Sequence, residues 1–166
     1  DRTVSRGLGD VYKRQHLTDL MIWLFGPVKS VYASTAHRAL KYETGDVVSA
    51  SMLHKSGLST QITAILKTPH YQRITVWGEN GWVEVVDSSH PDTPGPSSIK
   101  IVMNDGTILD ETYDWVDTVS KNIHNFVYAI RKKEKYIFSD IEKYQNIAVL
   151  DCIYKSSKVN KSIEVI

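Results

Sequence analysis

The chain has 166 residues, with 20 Lys plus Arg against 19 Asp plus Glu, 42% hydrophobic and 23% charged residues. A formal charge of +1 creates no field that would favour a nucleic acid, an anionic membrane surface or a strongly acidic partner, and the length suits one domain with its own core. The lone Cys152 excludes an intrachain disulfide and a multi-cysteine zinc site, which suits a reducing compartment such as the cytoplasm; no stretch approaches the ~18 apolar residues of a membrane span.

Residues 1–15 (DRTVSRGLGDVYKRQ) are basic and lack apolar periodicity, and the character of the chain changes at His16. Two readings stand: foreign sequence, since VSRGLGDVYKRQ resembles a translated sequencing-adapter read-through, or a flexible basic arm. From 16 to 24, Leu17, Leu20, Met21 and Leu24 follow the helical period, and Gly26-Pro27 supplies a stop. Strand patterns follow at 28–36, 47–54, 58–66, 72–77 and 82–86, bounded by turn residues such as Thr44-Gly45-Asp46 and Ser56-Gly57. They lie too close together for helical crossovers, so most must pair as antiparallel hairpins or meanders. Between Trp77 and Trp82, Asn80-Gly81 is expected to supply the positive φ angles of a tight turn.

The Pro-rich stretch 87–98 reads as an exposed loop, and two more strands are expected at 99–103 and 107–113 around Asn104-Asp105-Gly106. A helix then places Val116, Val119, Ile123, Phe126, Val127 and Ile130 on one apolar face and ends in a solvated basic run. In the last helix Ser139 and Glu142 fit a capping box, and Ile141, Tyr144, Ile147, Ala148, Leu150 and Tyr154 are expected to form the buried stripe. A short strand at 162–166 returns to the sheet. The class is α+β: a mainly antiparallel open β-sheet with helices packed on one face. Its other face, with Ile, Val, Trp and Tyr on alternate positions, exceeds the few hundred Å² that monomers usually expose, so a second subunit or a further domain is expected to cover it.

His16, Asp19 and Trp23 share one face of the first helix, a polar face with an aromatic floor. An imidazole can take a proton near neutral pH and a carboxylate one turn away can orient it or hold a ligand hydroxyl; the same spacing also suits a plain surface His–Asp pair. His37, His54, His70, His90 and His124 fall in separate segments without metal-ligand spacing, and His124 is expected to be partly buried. Cys152 reads as an inert core thiol. No glycine-rich phosphate cradle or GxSxG elbow occurs, and Asp92, Asp105, Asp110, Glu111 and Asp114 are scattered as solvated charges.

The order of HLTDLMIWLFGPVKSVYA, Asp46 opening a strand, Gly57 at its turn, ITVWGENGWVEV and the late helix running into Ser156-Ser157 and Val165 resembles the C-terminal domain of the Gfo/Idh/MocA oxidoreductases, over residues 16–166. The resemblance implies an enzyme whose N-terminal Rossmann domain, absent from this sequence, binds NAD or NADP, while this domain meets the substrate and offers its open sheet for a homo-oligomer. It implies no metal, nucleic-acid or membrane partner, and a sugar or polyol (inositol among them) as substrate. It also implies His16 as the catalytic base and Asp19 as a substrate ligand. The aspartate that many members carry one helical turn before the histidine is replaced by Tyr12, and the resemblance places the catalytic lysine and the glycine fingerprint in the absent half, so this chain alone is expected to be inactive. A non-catalytic sugar-binding or dimerisation module of the same fold is the alternative.

Overall fold

In a computed structural model the described residues are 4–40, 45–87, 89, 90 and 93–166, with side chains described from Gln15 onward. Thr44, Asp92 and the side chain of Tyr12 lie outside the described residues. The elements run α1 (Val4–Phe25), β1 (Val28–Ala36), β2 (Val47–His54), β3 (Ser59–Ile65), β4 (Gln72–Gly78), β5 (Gly81–Asp87), β6 (Ser97–Met103), β7 (Ile108–Tyr113), α2 (Thr118–Ile130), α3 (Asp140–Val159) and β8 (Ile163–Glu164). The fold is α+β, and its strands divide into two four-stranded antiparallel sheets rather than one. The chain forms two units, one from residues up to Thr68 together with Ile137–Ile166, the other from Pro69–Tyr136.

The first unit orders its strands β3-β2-β1-β8. Period-2 alternation sends Val31, Ala33, Val48, Ala50, Met52 and Ile62 inward, where they meet Met21 and Ile22 of α1 and Val149, Cys152 and Ile153 of α3. Each of the larger of these side chains contributes about 1.5–3 kcal/mol through burial. The outward face is built differently from the expected apolar one. Ser34, Ser49, Ser51, Ser59, Gln61 and Thr63 make it hydroxyl-rich, with Tyr32, Leu53 and Ile65 as its large exposed apolar side chains.

Two differences concern the helices. α1 extends N-terminally to Val4, through residues without apolar periodicity; once packing anchors the later turns, propagation adds a hydrogen bond per residue without a new nucleation cost. In α3 the expected stripe faces outward, with Ile141, Tyr144, Ile147 and Tyr154 42–72% exposed. The buried positions are Gln145, Asn146, Val149, Cys152, Ile153 and Ser156, because polar groups on this face bond to the elements beneath. Ser156 Oγ accepts from Ala33 N at 2.8 Å and donates to Lys161 O at 2.6 Å. The expected capping box is present: Glu142 N donates to Ser139 Oγ, and Ser139 N donates to Glu142 Oε2.

The turn before β2 is organised by Asp46, whose enclosed carboxylate accepts from the backbone N–H groups of Arg38, Ala39 and Leu40 at 2.5–2.9 Å. These donors hold its pKa down at about 2. His54, also buried, lies with Nδ1 2.7 Å from Gly26 O and Nε2 3.0 Å from Thr60 Oγ1. A carbonyl only accepts, so Nδ1 carries the proton, and this histidine ties the end of β2 to the end of α1.

The second unit is a meander in the order β4-β5-β6-β7. Its register places Ile74, Val85 and Ile99, then Val76, Val83, Ile101 and Leu109, on one face, while Arg73, Thr75, Glu84 and Lys100 lie on the other. The β4–β5 turn departs from expectation. Gly78 pairs with Gly81, so Glu79-Asn80 are the central residues, and Asn80 does not take a positive φ. Gly81 does, at +152°, and a Cβ there would stand 2.2 Å from the carbonyl oxygen of Val102 on β6. Glycine is required for close approach of two strands as well as for the turn. α2 starts at Asp117, whose side chain accepts from Ser120 N, and none of its residues is buried. Its apolar positions Val119, Ile123, Phe126 and Ile130 are 51–63% exposed.

Candidate functional site

The face of α1 that carries His16, Asp19 and Trp23 looks away from the core formed by Met21 and Ile22. The helical period sets this division, with His16 exposed, Asp19 half-buried and the indole of Trp23 67% exposed. Burial is the largest influence on Asp19 and raises its carboxyl above the ordinary value; His16 opposes that rise and Glu142 of α3 adds to it. Glu142 moves the other way, because the Ser139 hydroxyl and N–H stabilise its charged form.

Beneath this face α1 crosses α3. Thr18 is fully buried and Asn146 is 3% exposed, and Thr18 Oγ1 lies 2.5 Å from Asn146 Oδ1. Asn146 Nδ2 lies 3.4 Å from Gln15 O and 3.5 Å from Asp19 Oδ1. The sequence reading missed both residues. Their signal was a polar side chain on the inward face of each of two helices, which demands a partner. The neighbouring Gln145 is buried as well, and its Oε1 meets no donor among the described residues.

The other singled-out residues lie elsewhere. His70 and His90, in separate segments of the sequence, come together edge to face with ring centroids 5.6 Å apart. His124 is exposed rather than partly buried, because the face of α2 that carries it is solvated, and its Nδ1 is 3.5 Å from Ser120 Oγ. His37 is exposed. Cys152 is enclosed, with Sγ 3.6 Å from Glu164 O, and burial pushes its thiol pKa up, away from nucleophilic reactivity. Among the described residues no three His, Cys, Asp or Glu side chains form a metal-binding group, and no helix is long and apolar enough to cross a membrane.

Residues 9–165 match the family model described as the oxidoreductase family, C-terminal alpha/beta domain. The chain belongs to the Gfo/Idh/MocA oxidoreductase family. Solved structures of similar fold include an oxidoreductase of Desulfitobacterium hafniense provisionally named as NADPH-dependent, with TM-score 0.77 and 17% identity over 91% of this chain and 46% of that one. The WlbA dehydrogenase of Bordetella pertussis, in complex with NADH and UDP-GlcNAcA, gives TM-score 0.70 and 25% identity over 93% of this chain and 44% of that one. An oxidoreductase of Agrobacterium radiobacter in complex with NAD+, L-tartaric acid and magnesium gives TM-score 0.71 and 13% identity over 91% and 47%. This Gfo/Idh/MocA domain therefore spans less than half the length of these relatives. A comparison with curated proteins gives no match.

Proposed function

We propose that this chain is the substrate-side domain of an NAD(P)-dependent dehydrogenase that moves hydride between a hydroxyl-bearing carbon of a sugar or cyclitol and nicotinamide. The observation that carries the reading is the outward face of α1, where an imidazole, a half-buried carboxylate and an exposed indole lie within two helical turns in a domain of an oxidoreductase family. His16 takes the proton of the reacting hydroxyl as negative charge develops on its oxygen, a task suited to an imidazole. Asp19 accepts a hydrogen bond from a neighbouring substrate hydroxyl, and partial exclusion from water strengthens that bond. Trp23 offers a flat apolar surface to the ring that lies over it.

NAD or NADP held by the parent protein would supply the hydride acceptor. The described residues form no cradle for the pyrophosphate of such a cofactor: Gly7 and Gly9 lie inside α1, and no strand leads into a glycine-rich turn ahead of them among the described residues. Its pyrophosphate belongs to a Rossmann domain of the parent protein, in the cytoplasm. The exposed outward face of the first unit's sheet supports a homo-oligomer, and the sugar nucleotide bound by the Bordetella relative makes UDP-sugars the first substrates to try, beside inositols and aldoses.

The test is to express the parent gene with its upstream coding sequence and follow nicotinamide reduction at 340 nm across that panel. Activity on a polyol or sugar is expected, and His16→Ala is expected to lower kcat by about 10²–10⁴-fold with the fold intact. A parent without a dinucleotide-binding segment, or a His16→Ala protein with unchanged kcat, would refute the assignment and favour the sugar-binding or dimerisation module.

A further inference from the structure

The polar pair at the crossing of α1 and α3 is oriented toward the candidate site. A hydroxyl and an amide buried between helices destabilise the fold unless each is satisfied, so the direction of their hydrogen bonds is informative. Thr18 Oγ1 has one proton to give and two acceptors in reach, Gln15 O at 3.1 Å and Asn146 Oδ1 at 2.5 Å. The shorter approach assigns the proton to Asn146. With Oδ1 engaged by Thr18, the amide nitrogen turns back toward α1, between Gln15 O at 3.4 Å and Asp19 Oδ1 at 3.5 Å. The flipped amide would set an acceptor against a carbonyl and a carboxylate, so the network admits one orientation. Accepting from Thr18 also polarises the amide and makes its N–H a better donor.

We propose that Asn146, locked by Thr18, is a positioning residue that steers the Asp19 carboxylate toward the substrate side of α1. Among the described residues, the charged or titratable groups that act on this carboxyl are the imidazole of His16 and the competing carboxylate of Glu142. The functional consequence rests on the reading of Asp19 as a substrate ligand; the geometry does not.

The deciding experiment is a carbon-detected NMR titration of the Asp19 carboxyl in this chain, in wild type, Asn146→Ala, Thr18→Val and Thr18→Ser. Loss of the amide donor is expected to move the Asp19 midpoint upward in Asn146→Ala. Thr18→Val, which keeps the packed volume but removes the hydroxyl that holds and polarises the amide, is expected to move it the same way, and Thr18→Ser to return it to the wild-type value. A midpoint unchanged in a folded Asn146→Ala or Thr18→Val protein overturns the proposal, as does a Thr18→Val shift that serine fails to reverse. In the active parent, Asn146→Ala is expected to raise KM for the polyol by about tenfold, the worth of one hydrogen bond, while kcat changes far less. A parent that oxidises no polyol would defeat the proposed function and leave the titration result standing.

Discussion

Ser156→Ala isolates the contribution of one buried hydroxyl. β8 pairs with β1 only at Ser30 and Val31, so two residues further along, the N–H of Ala33 has no strand to bond and the Ser156 hydroxyl takes that place. Ser156 is fully buried and Ala33 is 1% exposed, so water cannot readily replace the lost acceptor. A buried N–H left unsatisfied costs about 1–3 kcal/mol. The second bond, to Lys161 O, involves an exposed residue whose carbonyl water can reach, and its loss adds little. A destabilisation of about 2 kcal/mol follows, or a fall in Tm of roughly 4–8 °C at about 2–4 °C per kcal/mol for a chain of this length. Urea unfolding followed by circular dichroism should show the midpoint shift at constant m-value, and the Ala33 amide should lose its protection from hydrogen exchange. Ser157→Ala is the control: that hydroxyl is exposed and returns to Tyr154 O of its own helix, so a change within about 0.5 kcal/mol is expected. Equal effects at the two positions, or a protected Ala33 amide in Ser156→Ala, would refute the reasoning.

Two further outcomes follow from the turns. Because its folded-state pKa is held at about 2, below the unfolded value near 4, Asp46 contributes stability that is present above pH 4 and is lost as the pH falls toward 2. Asp46→Asn is expected to flatten that acid limb of a stability–pH profile and to lower stability at pH 7, whereas an unchanged limb would place the three backbone donors elsewhere. Gly81→Ala sets a methyl group against the Val102 carbonyl at a backbone angle hostile to side chains, and is expected to cost more than about 1 kcal/mol. A Gly81→Ala protein as stable as wild type in urea would show that β5 and β6 do not approach so closely.

The strands were legible because half-burial writes a period of two into the sequence: β1 and β2 have the expected bounds, and β3 to β7 differ from theirs by one or two residues at an end. The helices were read less well, for a physical reason. Apolar residues mark a face that avoids water, but α3 turns Gln145, Asn146 and Ser156 inward, where they are enclosed, and leaves Ile141, Tyr144 and Ile147 outside. Periodicity cannot tell which of two faces meets the rest of the chain when the inner one bonds through polar groups. The same limit applies to the candidate site. The shared face of His16, Asp19 and Trp23 follows from spacing on one helix, whereas Asn146 lies 128 residues from Thr18 and only the fold brings them together. In the β4–β5 turn, Asn-Gly announced a tight hairpin correctly but misplaced its centre, because the approach of β6 at Gly81 leaves no local trace.

The interruption of the first unit by the second governs the order of assembly. β4 to β7 follow one another as adjacent hairpins, so their contacts are local and carry a small loop-closure cost. The first unit is slower by topology: α1 and β1 to β3 emerge early from the ribosome, yet α3 and β8, which close their inner face, come only after the excursion from Pro69 to Tyr136. Until α3 returns, Val31, Val48 and Met52 lack their cover, and transiently exposed apolar surface of this kind is prone to aggregate. A tether that brought Thr68 directly to Ile137 would remove that delay, turning a long-range closure into a local one.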